Sequence, residues 1–119
     1  MGAVIRTVIV DDEPPARRRI RALLAAEPDV EVIAECRDGR EALTVSQAAR
    51  PDLLFLDVQM PEVDGLAVAR GLGGGELPLV VFTTAHSQFA VPAFDVRAVD
   101  YLLKPLDPDR FRAAVARVR

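Results

Sequence analysis

At 119 residues, half of them hydrophobic and with charges mixed along the chain, the sequence has the size and composition of one folded domain, which excludes a disordered tail and leaves no room for a second core. A net charge of -3 and a pI near 5.1 exclude bulk electrostatic binding of DNA or RNA by this segment alone, and the single cysteine, Cys36, excludes an internal disulfide or a thiolate metal cage. No secretory h-region opens the chain and no apolar run approaches the roughly 20 residues of a spanning helix, so the cytosol is the expected location.

Short β-rich runs alternate with helical patterns about five times. Thr7–Val10 predicts a first strand ending in "DDE", after which Pro14 and Pro15 open a helix with Ala16, Ile20, Leu23 and Leu24 on one face. Val30–Cys36 alternates partially, as an edge strand with one wetter face does, and Cys36 reads as a small apolar side chain near its end. Asp38 starts a second helix with Ala42, Leu43, Ser46 and Ala49 inward. Leu53–Leu56 is apolar on both faces, as a central strand covered by helices should be. A short helix over Gly65–Leu72 ends at "GGG", and Pro78–Ala85 is the fourth strand. Ser87–Phe94 predicts a fourth helix interrupted by Pro92. Val99–Leu103 is the fifth strand, and Asp107–Arg119 the last helix, with Phe111, Ala114, Val115 and Val118 inward. This alternation predicts a doubly wound parallel sheet of five strands with five helices on its two faces, and such folds gather their chemistry outside the carboxyl ends of the strands.

The residues at those ends form a non-random set: Asp11 and Asp12, Asp57, Thr83 and Thr84, and Lys104. Each alone has an ordinary explanation, as a helix cap, turn chemistry or a solvated charge. Together they place three carboxylates at one rim, where two unit charges about 4 Å apart repel by roughly 4 kcal/mol at an effective dielectric near 20. Such a cluster needs a proton or a cation. Hard oxygen donors without thiolates or a histidine pair point to Mg2+. Lys104 is the one lysine among 15 basic residues, in a place where a compact charge suits better than a planar fork. A carboxylate in that setting can attack phosphorus, and Thr84 can hydrogen-bond the new phosphoryl oxygens.

"VDDE", "LDVQMPEVDG", "FTTA" and "DYLLKP", in that order and spacing, resemble the receiver domain of bacterial two-component response regulators over nearly the whole chain. The resemblance implies strand order 2-1-3-4-5 in a flavodoxin-like sheet. It implies Asp57 as phosphoacceptor, assisted by Lys104 and Thr84, and a metal site made by Asp11, Asp12, Asp57 and the backbone carbonyl of Gln59. It implies phosphoryl binding by Lys104 and the Ala85 amide, a switch built from Thr84 and Tyr101, and a cis bond before Pro105. The partner it implies is a sensor histidine kinase whose phosphohistidine is the donor. The resemblance also implies a protein that modifies itself and is otherwise no enzyme. Output is expected through the surface of the fourth helix, fifth strand and last helix, which is also the face for a homodimer. Phe89 and Phe94 together with "DYLLKP" are similar to the receivers of LytTR-type regulators, which bind DNA through an output domain outside this chain; a stand-alone receiver is the alternative.

A metal-dependent phosphatase using Asp12 is the rival from another class, but Pro14 stands where a second aspartate is wanted and no cap insertion exists. A flavodoxin-like cofactor site would need a phosphate loop after the first strand, and "DDEPPAR" repels phosphate. A degenerate receiver acting only as a binding module would not need the complete acidic set. His86 reads as a solvated loop histidine, although with Gln59 it flanks the phosphoryl site that the resemblance implies. Arg17–Arg21 reads as a solvated face and a kinase contact. Arg110, Arg112, Arg117 and Arg119 are candidates for cross-subunit pairs with Asp95, Asp100 or Asp109.

Overall fold

The computed structural model describes residues 3–72, 78–85 and 98–119. Its elements in chain order are β1 (Ile5–Val10), α1 (Pro14–Leu24), β2 (Val30–Cys36), α2 (Gly39–Ala49), β3 (Leu53–Asp57), α3 (Gly65–Gly71), β4 (Leu79–Thr84), β5 (Asp100–Leu103) and α4 (Pro108–Val118). The strands make one parallel sheet in the order β2-β1-β3-β4-β5, as expected. Four helices lie among the described residues; the predicted helix over Ser87–Phe94, with Phe89, Pro92 and Phe94, lies outside them, as do His86 and Asp95.

The sequence pattern explains which strand lies where. β3 is the middle strand and is buried at every position, and β2, at the edge, is largely half-buried. β1 begins two residues earlier than its apolar run suggests, because Ile5 and Arg6 pair with Val30 and Glu31 of β2. Alternate residues of each strand feed two cores. On one face Val8, Val10, Leu54, Leu56, Val80 and Phe82 pack with Ala42 of α2 and Val68 and Ala69 of α3. On the other, Ile9, Leu53, Phe55, Val81 and Leu102 pack with Ile20 and Leu24 of α1 and Phe111, Ala114 and Val115 of α4. Phe55 and Phe111 stack there with ring centroids 5.1 Å apart. Cys36 is buried in the first core, and burial pushes its thiol up to about 12, which leaves it an inert apolar side chain.

Helix starts follow their caps. Asp38, Asp64 and Asp107 accept from the amides of Glu41, Ala67 and Arg110 at 2.8, 2.8 and 2.9 Å. Pro14 and Pro15 occupy the first positions of α1, where their missing N–H groups cost nothing.

Two expectations about arginines change. Arg17 is no mere solvated side chain: it donates to the Asp11 carbonyl at 2.7 Å and lies 3.4 Å from Glu35, which also binds Arg21 at 2.7 Å. Arg19 donates to the Leu106 carbonyl, 3.1 Å away. The arginines of α4 find their partners within the chain. Arg110 grips Asp100 with two bonds of 2.7 and 2.6 Å, Arg117 adds a 3.6 Å contact, and Arg112 meets Asp109. Arg119 reaches Glu27 and Asp29. The reason is geometric: α4 packs against β5, which brings Arg110 and Arg117 to Asp100, buried at the strand start.

Removing the Phe111 ring opens a cavity against Phe55, so Phe111→Ala is expected to cost about 3–5 kcal/mol in urea unfolding, while Arg112→Ala, exposed on the same helix, changes stability by no more than about 0.5 kcal/mol. Equal losses in the two variants would contradict this placement of the core.

Candidate functional site

The carboxyl ends of β1, β3 and β5 bring distant residues to one rim. Asp57 is the last residue of β3, still paired in register with Thr83, so its side chain leaves the sheet from a fixed position rather than from a loop. Its carboxylate is nearly fully buried. The loop that follows folds back tightly: the Gly65 amide donates to the Val58 carbonyl at 2.9 Å. A Cβ on Gly65 would lie 2.2 Å from the Asp57 carbonyl oxygen, so only glycine lets α3 start this close to the strand end. That proximity is what the Asp-Gly pair of "MPEVDG" encodes.

Asp11 is completely buried just beyond β1. Its Oδ1 accepts from the Glu13 amide at 2.9 Å and its Oδ2 from Lys104 Nζ at 2.7 Å. The same ammonium lies 3.4 Å from Asp57 Oδ2. Asp57 Oδ1 accepts from the Gln59 amide at 3.1 Å. Asp12 is exposed, and one oxygen from each of Asp11, Asp12 and Asp57 lies within 4.8 Å of the others. At Mg–O distances of about 2.0–2.1 Å, ligand oxygens stand about 3–4 Å apart, so this all-oxygen set fits a hard divalent cation after a small contraction.

Electrostatics follow from that crowding. Burial first, and then the charge of Asp11, push Asp57 up to about 6, although Lys104 and the Gln59 amide pull the other way. Burial would lower Lys104, but its hydrogen bond to Asp11 and the charge of Asp57 outweigh it and the ammonium's pKa is raised. The lysine is therefore held as a cation between two carboxylates.

Of the other predicted site residues, Thr84 is buried at the end of β4, where its carbonyl accepts from the Lys104 amide at 2.7 Å; Ala85 follows it, exposed. Gln59 is exposed and tied to the site by its amide. Tyr101 does not join the carboxylates. It stacks on Phe82 with centroids 5.1 Å apart, on the opposite sheet face, and its buried hydroxyl finds no partner among the described residues. Burial raises that phenol. The bond before Pro105 is cis, as the resemblance implies. Arg17 and Gly65 were missed as contributors to the site; proximity of glycine to a strand-end aspartate was the available signal for the second, and none existed for the first.

Comparison with known proteins agrees with this geometry. The family model described as "Response regulator receiver domain" matches residues 7–116. The transcriptional regulatory protein BtsR of Escherichia coli (strain K12) is 42% identical over 116 residues, which are 98% of this chain and 48% of that protein. An uncharacterized response regulatory protein of Yersinia pestis is 44% identical over 115 residues, 97% of this chain and 48% of its own length. The chain thus spans about half the length of the curated relatives it matches. Among solved structures, the REC domain of AraT, a response regulator from Geobacillus stearothermophilus, superposes with a TM-score of 0.85 at 37% identity, covering 97% of this chain and 92% of that one. The response regulatory domain of mrkE from Klebsiella pneumoniae gives 0.87 at 31% identity, covering 95% and 93%.

Because the folded-state value of Asp57 lies above its ordinary 3.8, folding takes up a proton between the two values. Stability from this group is complete below about pH 4 and lost as the pH rises through about 6. Metal-free Asp57→Asn is expected to be more stable than the parent by about 2–3 kcal/mol near pH 8, with the gap narrowing as the pH falls through about 6 and closing below about pH 4, in thermal unfolding with chelator present. A variant less stable than the parent near pH 8 would contradict the buried charge conflict.

Proposed function

The chain belongs to the response regulator receiver domain family, and from that premise we propose that it is a phosphorylation-dependent switch whose phosphoacceptor is Asp57. One observation carries the reading: a single ammonium, Lys104 Nζ, meets both Asp11 Oδ2 at 2.7 Å and Asp57 Oδ2 at 3.4 Å beside a third carboxylate. The donor is the phosphohistidine of a sensor histidine kinase. A carboxylate oxygen of Asp57 attacks phosphorus, the P–N bond breaks, and the imidazole leaves with the bonding electron pair and takes up a proton; the product is an acyl phosphate, later hydrolysed by water.

Asp11, Asp12, Asp57 and the Gln59 carbonyl would hold the Mg2+, which supplies charge neutralisation at the phosphoryl oxygens. The rest is done by the chain itself. Gln59 fixes one carboxylate oxygen through its amide, so the other is presented on the side of Lys104. Lys104 brings a positive charge to the equatorial oxygens, and the Thr84 hydroxyl and Ala85 amide hold the product. Catalytic assistance thus comes from Lys104 and Thr84. The new group carries about −1.5 to −2 charge at neutral pH, by analogy with other phosphorylated side chains. Drawing Thr84 toward it couples the rim to Tyr101, the aromatic of the switch, which stacks on Phe82 of the same strand pair.

The output surface is the predicted helix over Ser87–Phe94 together with β5 and α4, and a homodimer would use the same face. We assign the domain to a cytoplasmic transcription regulator with a LytTR-type DNA-binding output; the "DYLLKP" run with Phe89 and Phe94, and the BtsR relative named a transcriptional regulatory protein, support that choice over a stand-alone receiver. No helix among the described residues is long and apolar enough to cross a membrane.

Incubation with a small phosphodonor and Mg2+, read by intact mass, should add one phosphoryl group to the parent and none to Asp57→Asn, and chelator should abolish the gain. Undiminished labelling of the variant, or turnover of a phosphate ester by unmodified protein, would contradict the reading.

A further inference from the structure

Thr83, one residue before the predicted switch hydroxyl, is fully buried, and its Oγ1 has no hydrogen-bond partner among the described residues. A hydroxyl left unpaired in the interior is destabilising, and valine would fill the same volume without that cost. The residues below it on the same sheet face are apolar: Ile9, Phe55 and Val81 belong to the core under α1 and α4. Strand alternation puts Thr83 one step above Val81 on that face, at the level where the chemistry changes. Asp57 is its register partner on β3 and Leu102 its partner on β5.

Lys104 explains what this position is for. It follows β5 yet reaches Asp57 on β3 and Asp11 beyond β1, so its stem has to cross the end of β4, which lies between them. By strand alternation the β4 residue on that sheet face is Thr83, in register with Asp57 and with Leu102, two residues before Lys104. An ammonium has three protons to donate; the two closest carboxylate oxygens, on Asp11 and Asp57, account for two of them. Glu13 is the next anion, at 3.9 Å and mostly exposed.

We propose that Thr83 is a positioning residue whose hydroxyl accepts a hydrogen bond from Lys104 when the lysine gives up Asp11. The proposal rests on the divalent-ion site described above: a dication held by Asp11 repels the ammonium that stands 2.7 Å from Asp11 Oδ2, and so favours its withdrawal. Displaced from Asp11, the ammonium draws back over β4 and keeps Asp57 on one side and Thr83 Oγ1 beneath it. The hydroxyl, without a partner among the described residues, gains one when Lys104 moves, and it lowers the cost of that move.

The test compares the parent with Thr83→Val and Thr83→Ser in Mg2+ titrations followed by amide NMR shifts, together with metal-free thermal unfolding. Thr83→Val is expected to weaken Mg2+ binding about three- to tenfold while unfolding at or above the parent's temperature, and Thr83→Ser to bind within about twofold of the parent. Unchanged affinity in Thr83→Val would overturn the proposal. So would weakened binding shared equally by Thr83→Ser, or accompanied by a lowered metal-free unfolding temperature, since either marks a packing role. A parent that binds Mg2+ but accepts no phosphoryl group would refute Asp57 as phosphoacceptor, and the affinity comparison would still decide for or against Thr83.

Discussion

Two carboxylates, Asp11 and Asp57, are removed from water beside each other with one ammonium between them, and the rest of the molecule is arranged around that shortage of positive charge. Lys104 cannot fully neutralise both, and Asp12 adds a third acidic group at the edge. Asp57 bears the consequence: its carboxyl is pushed up to about 6 although a lysine touches it. Natural domains have margins of about 5–15 kcal/mol, so a conflict of a few kcal/mol is tolerable only where the scaffold is rigid. β3, buried on both faces and paired on both sides, is the most rigid place this sheet offers.

The same conflict makes the rim responsive. Any cation, proton or covalent change that alters the charge on Asp57 or Asp11 changes where Lys104 is best placed. Lys104 is anchored to β4 through its amide on the Thr84 carbonyl, and β4 in turn is anchored to β3 through the Val58 amide on the Thr83 carbonyl. Tyr101, on β5 three residues before Lys104, stacks on Phe82 of β4. A rearrangement at the carboxylates therefore has a short, mechanically continuous path to β5 and α4. The proposed signalling role uses that path and needs no large motion of the sheet.

Much of this was legible in the chain. Apolar runs such as "LLFL" and "LVVF" are long enough to mark central strands, and alternation of strands with helical patterns fixes the parallel architecture. Asp11, Asp12, Asp57 and Lys104 were recoverable because each terminates a strand, and strand ends meet by topology. Other features depend on quantities that a linear pattern lacks. Pairing of Arg110 and Arg117 with Asp100, and of Arg119 with Asp29, depends on how α4 lies across the sheet, so their charges looked available for a second molecule. Thr83 looked like a bystander to Thr84 because a linear pattern does not show which of two adjacent hydroxyls is buried without a partner among the described residues. Arg17 was hidden in an arginine-rich face, where three-dimensional proximity to the Asp11 carbonyl singles it out. The predicted fourth helix lies outside the described residues.

The central claim is that a cation relieves a conflict which a proton otherwise relieves at Asp57. Calorimetric Mg2+ titration near pH 6, run in two buffers of different ionisation heat, measures the protons exchanged per bound ion. Saturable binding with release of a sizeable fraction of one proton is the result this charge balance predicts; binding without proton release, or no saturable binding, would contradict it.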